Sequence, residues 1–189
     1  MTERIVLPIH GGDHCPGGPD PIPCFTSLPY AYMGDFTGRT VASGAWTAFT
    51  DWTEGFANQA ALDLSDSMEP QLAGGTIDLG PPGLYWATAH ALWADAWAAG
   101  NKLGVRLQWN GAGIVLTPGI TSSMVVTDGT INIDADYISV ASSAIGTSAA
   151  NSVSAQVYHD QGTTQFLDQL IVMVFRVAAY DATDGQSYP

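Results

Sequence analysis

The sequence predicts an all-β fold, either a sandwich or a barrel of short strands. Of its 189 residues, 46% are hydrophobic and only 12% are charged, a balance that suits strands with short turns better than long solvated helices. From residue 40 onward, short apolar runs are separated by Gly, Asp-Gly and Asn-Gly, which are turn formers. No alternation of strand and helix patterns indicates a parallel sheet. We therefore expect one antiparallel all-β domain, an ordinary architecture for a chain of this length.

The clearest strand signals lie in the middle of the chain. In the stretch 83–97, large side chains share one parity at positions 84, 86 and 92, and small ones fill positions 87, 89 and 91. The alanine content makes a helix a competing interpretation, but the preceding Pro81-Pro82-Gly83 and the aromatic residues favour a strand. Residues 105–109 then alternate apolar and polar side chains and lead into Asn110-Gly111. We expect a strand, a tight turn and a returning strand there.

Further strands are expected where short apolar segments are bounded by turn formers. Residues 60–68 have weak helical character that ends at Glu69-Pro70, and the register of residues 50–75 stays open. The remaining predicted strands are 41–51, 123–127, 129–133, 137–141, 152–158 and 170–177.

The N-terminal stretch differs in composition from the rest. Residues 8–30 contain six prolines and four glycines, too many for a regular helix or a central strand. We therefore expect an extended Pro/Gly-rich arm over residues 1–38. A folded domain over 39–180 and a polar C-terminal tail over 181–189 are expected to follow it.

The charge balance limits the partners. Eighteen acidic residues face five basic ones, for a net charge of −13. Five scattered cations cannot form the basic patch that a nucleic-acid partner requires, and an acidic surface is repelled by anionic membranes. The N-terminus lacks the apolar run of a signal peptide, and no stretch has the length of a membrane span. We expect a soluble protein made in a cytoplasm, in which Cys15 and Cys24 either form a disulfide or stay reduced.

Potential metal ligands occur in two groups. In the first group, a single flexible arm would have to supply every zinc ligand, so an extended arm that binds no metal is the better explanation of these residues. The second is a set of aspartates near predicted turns, which lacks the spacing of an EF-hand loop and is better explained by turn formation. We therefore predict no metal site. The groups are His10, Asp13, His14 and Cys15 in the arm, and Asp128, Asp134 and Asp136 further on.

The sequence carries no catalytic pattern. His90 falls in a predicted core strand, His159 falls in a predicted loop, and there is no G-x-S-x-G motif. We therefore predict a protein that is not an enzyme and has no cofactor. Core or interface packing is a better explanation than sugar stacking for a further group of aromatic residues, namely Trp86, Trp93, Trp97 and Trp109.

Several motifs follow one another in a recognisable order between residues 40 and 178. The first are Gly74-Gly75-Thr76-Ile77-Asp78-Leu79, Gly83-Leu84-Tyr85 and the strand 105–111 ending in Asn-Gly. The later ones are the segment 134–140 and Thr164-Gln165-Phe166-Leu167. This order resembles the jelly-roll superfamily of tumour necrosis factor and the globular head of complement C1q. The chain departs from that family's pattern at Ala135, where the family has a glycine.

The resemblance implies a jelly-roll β-sandwich that forms a homotrimer. In such a trimer, aromatic side chains of the inner sheet meet around a threefold axis. Candidate aromatic residues for that interface or for the core are Tyr85, Trp86, Trp93, Trp109, Phe166 and Phe175.

Domains similar to this one occur in bacteriophage virions, and the arm segment 14–23 resembles anchoring segments of actinobacterial phage tail proteins. We therefore expect a structural protein of a tailed phage virion, made in the host cytoplasm, as a minor tail or tail-tip protein. The alternatives are a capsid decoration or head-fibre protein, and a module that recognises a host glycan. Apolar arm residues are expected to dock on neighbouring virion proteins through Ile9, Ile22, Phe25, Leu28 and Tyr30.

Overall fold

The computed structural model describes residues 29–58, 68–94, 98–115, 119–126, 137–147, 151–181 and 186–188. Every regular element in these residues is a strand. In chain order they are β1 (Tyr30–Asp35), β2 (Arg39–Val41), β3 (Thr47–Ala48), β4 (Glu54–Asn58), β5 (Glu69–Gln71), β6 (Thr76–Asp78), β7 (Gly83–Trp93), β8 (Lys102–Asn110), β9 (Ile114–Val115), β10 (Ile120–Val126), β11 (Tyr137–Gly146), β12 (Ser152–His159), β13 (Gln165–Asp181) and β14 (Gln186–Tyr188). In this part of the chain, no helix is long and apolar enough to cross a membrane.

The strands form two antiparallel sheets. Sheet A has the order β4-β1-β13-β7-β11-β9, and β2 and β14 pair with other parts of the long strand β13. Sheet B has the order β10-β8-β12-β6-β5, with β3 paired to β12. The chain passes from sheet A to sheet B between β7 and β8 and again between β11 and β12. This topology confirms the predicted all-β jelly-roll sandwich.

The core lies between the inner faces of the two sheets. On β7 the inward positions hold three alanines between two large aromatic residues, while the inward positions of β8 hold larger side chains throughout. The hydroxyl of Tyr85 donates to the Leu79 carbonyl at 2.6 Å, and burial raises the pKa of this phenol, so it stays protonated. The buried residues of the two strands are Tyr85, Ala87, Ala89, Ala91 and Trp93 on β7, and Leu103, Val105, Leu107 and Trp109 on β8.

The folded domain begins earlier than the sequence predicted. Residues 30–35 form β1, which is hydrogen-bonded to β4 on one side and to β13 on the other. The predicted arm boundary at residue 38 therefore lies too late, and Tyr30 belongs to a sheet and not to a docking arm. The proline count of the preceding stretch hid this strand, because a run of only six residues adds little to the composition of its surroundings.

The C-terminal segment also differs from the prediction. Residues 181–189 were expected to be an unpaired polar tail, but β13 continues to Asp181 and β14 pairs with it. A polar segment can extend a sheet because ladder hydrogen bonds come from the backbone, whatever the side chains. The predicted strand 41–51 is likewise corrected. It consists of β2 in sheet A and β3 in sheet B, separated by a turn where Gly44 has a φ of 85°.

Other sequence predictions lie outside the described residues. These are the weak helical segment 60–67, the strand 129–133, the arm with Cys15, Cys24 and its potential zinc ligands, and the aspartates at 128, 134 and 136.

A charged cluster fixes the corner between β1 and β2. The buried carboxylate of Asp35 accepts hydrogen bonds from the Thr37 amide at 3.1 Å, from the Thr37 hydroxyl at 2.8 Å and from Arg39 Nε. Arg39 also bonds exposed Asp51, and its guanidinium lies 5.1 Å from the centre of the Phe49 ring. Burial raises the pKa of Asp35, but the hydrogen bonds from Thr37 and the Arg39 contacts outweigh it and lower that pKa below 3.8.

Replacing Asp35 with asparagine is expected to lower the free energy of unfolding at neutral pH by about 1.5–3 kcal/mol, because two donors and a cation lose a buried carboxylate. Since the folded pKa is depressed, this stabilisation is present above 3.8 and is lost as pH falls through the folded pKa. Urea unfolding at neutral pH and near pH 3 measures it. Asp51→Asn is the matched control, with an expected loss below about 1 kcal/mol because Asp51 is exposed. Equal losses in the two variants would contradict the prediction.

Candidate assembly interface

The outward face of sheet A carries large apolar side chains. On β1, Ala31 and Met33 point into the core and are fully buried, so the alternation of the strand places Tyr30 and Tyr32 on the outside. On β13, Val172 and Val174 point inward and Met173 and Phe175 lie on the opposite side, half-buried. In this part of sheet A both faces are therefore apolar, the one toward the core and the one toward solvent.

The strand register brings these side chains together in two rows. In one row Tyr30 is opposite Phe175, which is opposite Trp86 on β7. In the other row Phe56 on β4 is opposite Tyr32, which is opposite Met173. The ring centroids of Trp86 and Phe175 are 5.7 Å apart. The ring centroid of Tyr30 lies 6.0 Å from that of Phe56 and 6.0 Å from that of Phe175. We call this surface the aromatic face; it consists of Tyr30, Tyr32, Phe56, Trp86, Met173 and Phe175.

The aromatic face is substantially open to solvent. Trp86 keeps 42% of its surface exposed and Phe56 keeps 49%. Contiguous apolar patches of this kind are rare on monomeric soluble proteins and mark interaction surfaces. Aromatic residues and methionine are also the types enriched at protein interfaces.

Small and polar residues border the aromatic face. On the β11 side the outward positions are Ser139, Ala141 and Ser143, and Ser143 is opposite Trp86. Exposed Glu54 lies on the β4 side. Beyond Thr88 on β7 lies half-buried His90, whose Nε2 is 3.2 Å from the Thr88 hydroxyl, and burial lowers the pKa of this imidazole. A lowered pKa favours the neutral ring, so His90 adds no charge to this margin near pH 7.

A second apolar surface lies at the edge of sheet B. Strand β10 pairs with β8 on one side only among the described strands. Its side chains Ile120, Met124 and Val126 share the outward face of the strand and are exposed by 46%, 48% and 62%. Edge strands with exposed apolar residues tend to associate with another chain, because their outer backbone groups lack hydrogen-bond partners and their apolar side chains lack packing partners. We call these three residues the β10 patch.

The structure divides the predicted aromatic residues between two surroundings. Tyr85, Trp93 and Trp109 are buried in the core, whereas Trp86 and Phe175 belong to the aromatic face. Phe166 is 38% exposed and covers Gly38, at a distance from the other two. Sequence reasoning missed Tyr32 and Phe56, and it assigned Tyr30 to the arm. The two tyrosines at positions 30 and 32, separated by Ala31, were the available signal.

The remaining candidates are the histidines, the potential metal ligands and the arm residues. No group of three or more His, Cys, Asp or Glu side chains in these ranges is placed to hold a metal ion. His159 was expected in a loop, but it ends β12, is fully buried and has its Nε2 2.9 Å from the Val41 carbonyl oxygen. It also packs edge-on against Trp93, with centroids 5.3 Å apart, which is a structural role. Trp97 and the arm residues Ile9, Ile22, Phe25 and Leu28 lie outside the described residues.

Comparison with known proteins supports the fold. No protein-family model matches the sequence, and no curated protein matches it. The structure is similar to the globular domain of the zebrafish complement 1qA protein, with a TM-score of 0.51 and 12% sequence identity, over 80% of this chain and 98% of that one. It also matches Eiger TNF from S. frugiperda, with a TM-score of 0.48 and 11% identity, over 82% of this chain and 94% of the other. The similarity to the zebrafish domain confirms the jelly roll as a fold.

Proposed function

We propose that this chain is a non-catalytic assembly module that forms a homotrimer through its aromatic face. The single observation that carries the proposal is the contiguous, half-open set of aromatic rings on the outer side of sheet A. Burial of a fully exposed large apolar side chain stabilises an interface by about 1.5–3 kcal/mol. Burial of the exposed parts of several rings therefore stabilises each contact between two copies by several kcal/mol. A second copy of the chain is the partner that is always present at the same concentration.

The two apolar surfaces of the chain favour a ring over a two-fold dimer. If the aromatic face of one copy contacts the aromatic face of another, the interface is self-complementary and the product is a dimer, with the β10 patch left exposed. If the aromatic face instead contacts the β10 patch of the next copy, both apolar surfaces are covered and the contact can close into a ring. The resemblance described above supports a ring of three.

The setting that we propose for this module is the virion of a tailed bacteriophage, as a minor tail or tail-tip protein. The resemblance of the arm to phage anchoring segments supports that setting. So does the low share of charged residues, 12%, which suits a surface buried in an assembly. A capsid decoration or head-fibre role is the alternative with the same mechanism. Mass spectrometry of purified particles tests the setting, and absence of the chain from them would contradict it.

Light scattering on the full chain and on a version that starts at Pro29 tests the assembly. We expect the full chain to have three times its monomer mass of 19.8 kDa. The shorter version is also expected to have three times its own monomer mass, because every residue of the aromatic face lies after residue 29. A monomer in both versions would overturn the proposal. A trimer in the full chain alone would move the interface from the aromatic face to the arm.

A further inference from the structure

The outward face of sheet B has a different chemistry from that of sheet A. Its centre is formed by Arg106 and Gln108 on β8 and by Gln156 and Tyr158 on β12, with Trp46 before β3 lying over them. The strands are paired so that Arg106 is directly opposite Gln156. All of these side chains are half-buried, which leaves part of each at the surface.

A chain of hydrogen bonds holds the polar groups in one orientation. Arg106 Nε donates to Gln156 Oε1 at 2.8 Å, and Arg106 Nη2 donates to the same oxygen. Gln156 Nε2 then donates to Gln108 Oε1 at 3.3 Å. Two donors are left over: Arg106 Nη1 and Gln108 Nε2 make no hydrogen bond to any other described residue. Both donors lie on the solvent side of the sheet, where a ligand that carries hydrogen-bond acceptors could bind them.

Aromatic rings fix the guanidinium from the side. The Arg106 guanidinium lies 4.4 Å from the centre of the Trp46 ring, and Trp46 is 5.4 Å from Tyr158 between centroids. Gly104 makes this arrangement possible, since a Cβ there would come within 2.9 Å of Trp46 Cη2. A stacked and hydrogen-bonded arginine has already lost most of its conformational freedom, so binding through it costs less entropy.

The charge of Arg106 is not balanced by the chain itself. Arg39 is bonded to Asp35 and Asp51, but no carboxylate of the described residues is within ion-pair distance of Arg106. The acidic residues of this face lie at its ends, with Asp160 after β12 and the facing pair Asp78 and Glu69 on β6 and β5. In a chain with a net charge of −13, this is a local surface that attracts an anionic group.

We propose that the outward face of sheet B binds a carboxylate-bearing sugar of a glycan. The carboxylate accepts from Arg106 Nη1, a ring hydroxyl accepts from Gln108 Nε2, and the apolar edge of the sugar ring packs on the exposed parts of Trp46 and Tyr158. Free donors match an acceptor-rich ligand, and the two aromatic rings match a sugar better than a bare anion. The site lies on the sheet opposite the aromatic face. Its Gln108 side borders the β10 patch, which the next copy covers in the proposed ring, because Ile120 is directly opposite Gln108.

This site differs from the aromatic group that the sequence offered for sugar stacking. Trp93 and Trp109 are buried and Trp86 belongs to the aromatic face, whereas Trp46 lies outside that group, in the segment before β3. Its partner Arg106 on β8 comes about sixty residues later, and Gln156 on β12 follows a further fifty residues on. Only the pairing of those strands brings them together.

Isothermal titration calorimetry with a short oligogalacturonate tests the proposal, with the methyl ester of the same oligosaccharide as the matched neutral ligand. We expect saturable binding of the acid and at least about tenfold weaker binding of the ester, because a charge-assisted bond is lost. Arg106→Met is expected to weaken binding of the acid by at least about tenfold. Lys102→Met removes the same charge from the same strand, and its affinity is expected to stay within about twofold of the unchanged chain.

Gln108→Leu provides a second variant that leaves the Arg106 stacking in place, and we expect it to weaken binding about threefold to tenfold. Circular dichroism melts establish that each variant is folded. Equal affinity for acid and ester, an Arg106→Met variant that binds as before, or no saturable binding of the acid would each overturn the proposal. Displacement of the sugar by a glutamate peptide of equal charge, at equal concentration, would overturn it in favour of an acidic peptide ligand.

Discussion

Trp86→Glu is expected to convert the proposed trimer to a monomer at micromolar concentration. In the proposed assembly, each glutamate would be buried against apolar side chains of the next copy, without a cation to pair with it. Removing a charge from water without a partner costs several kcal/mol, and about 3 kcal/mol already weakens a contact more than a hundredfold. The effect multiplies around a ring, since every contact carries the same substitution.

The fold of one copy is expected to survive this change. Trp86 keeps 42% of its surface exposed and points away from the core, so the new carboxylate stays hydrated in the monomer. Ala112→Glu is the matched control, because it adds the same charge at an exposed position in the turn after β8. Light scattering and a circular dichroism spectrum are the measurements. A Trp86→Glu variant that remains trimeric would place the interface away from the aromatic face and would contradict the proposal.

Trp93→Ala is expected to lower the free energy of unfolding by about 3–5 kcal/mol, the usual cost of truncating a buried tryptophan. Trp93 lies on the same strand as Trp86 but on its inward face, where only 2% of its surface is exposed and its ring packs against His159. The alanine would leave a cavity between the sheets that the strands on either side cannot close without breaking their register.

Urea unfolding at one fixed chain concentration measures this loss, since association adds to the apparent stability of an oligomer. Phe36→Ala is the control, because Phe36 is an aromatic residue of the turn after β1 with 43% of its surface exposed, and we expect it to cost below about 1 kcal/mol. A loss below about 1 kcal/mol for Trp93→Ala would contradict its assignment to the core.

Strand existence could be predicted from the sequence where local signals agree. The alternation in 105–109 with Asn110-Gly111 after it predicts β8 and its turn, and the apolar run 170–177 predicts the central part of β13. These signals depend on neighbouring residues alone, and the strand period of two makes them readable. The alternation in β1 was obscured by the proline-rich stretch before it, and β14 has no such signal because its sequence is polar.

Which face of each strand packs against the core could not be predicted in the same way. Alternation alone places Trp86 and Trp93 on opposite faces of β7, but it does not say which face is covered. Hydrophobicity would favour the side with Leu84, Trp86 and Leu92 as the core, yet the alanine side is buried. The larger residues of β8 in sheet B fill the space above those alanines, and their position depends on the partner sheet.

By itself, then, the sequence determined an antiparallel all-β chain with few charged residues and a negative net charge, because strand period, turn residues and net charge are local or additive properties. The tertiary structure alone decided which aromatic residues form the aromatic face and which groups surround Arg106. Both depend on register between strands that are far apart in the chain, as between Tyr30 and Phe175 or Arg106 and Gln156. Register is set by the burial of both sheets at once, and no short segment contains that information.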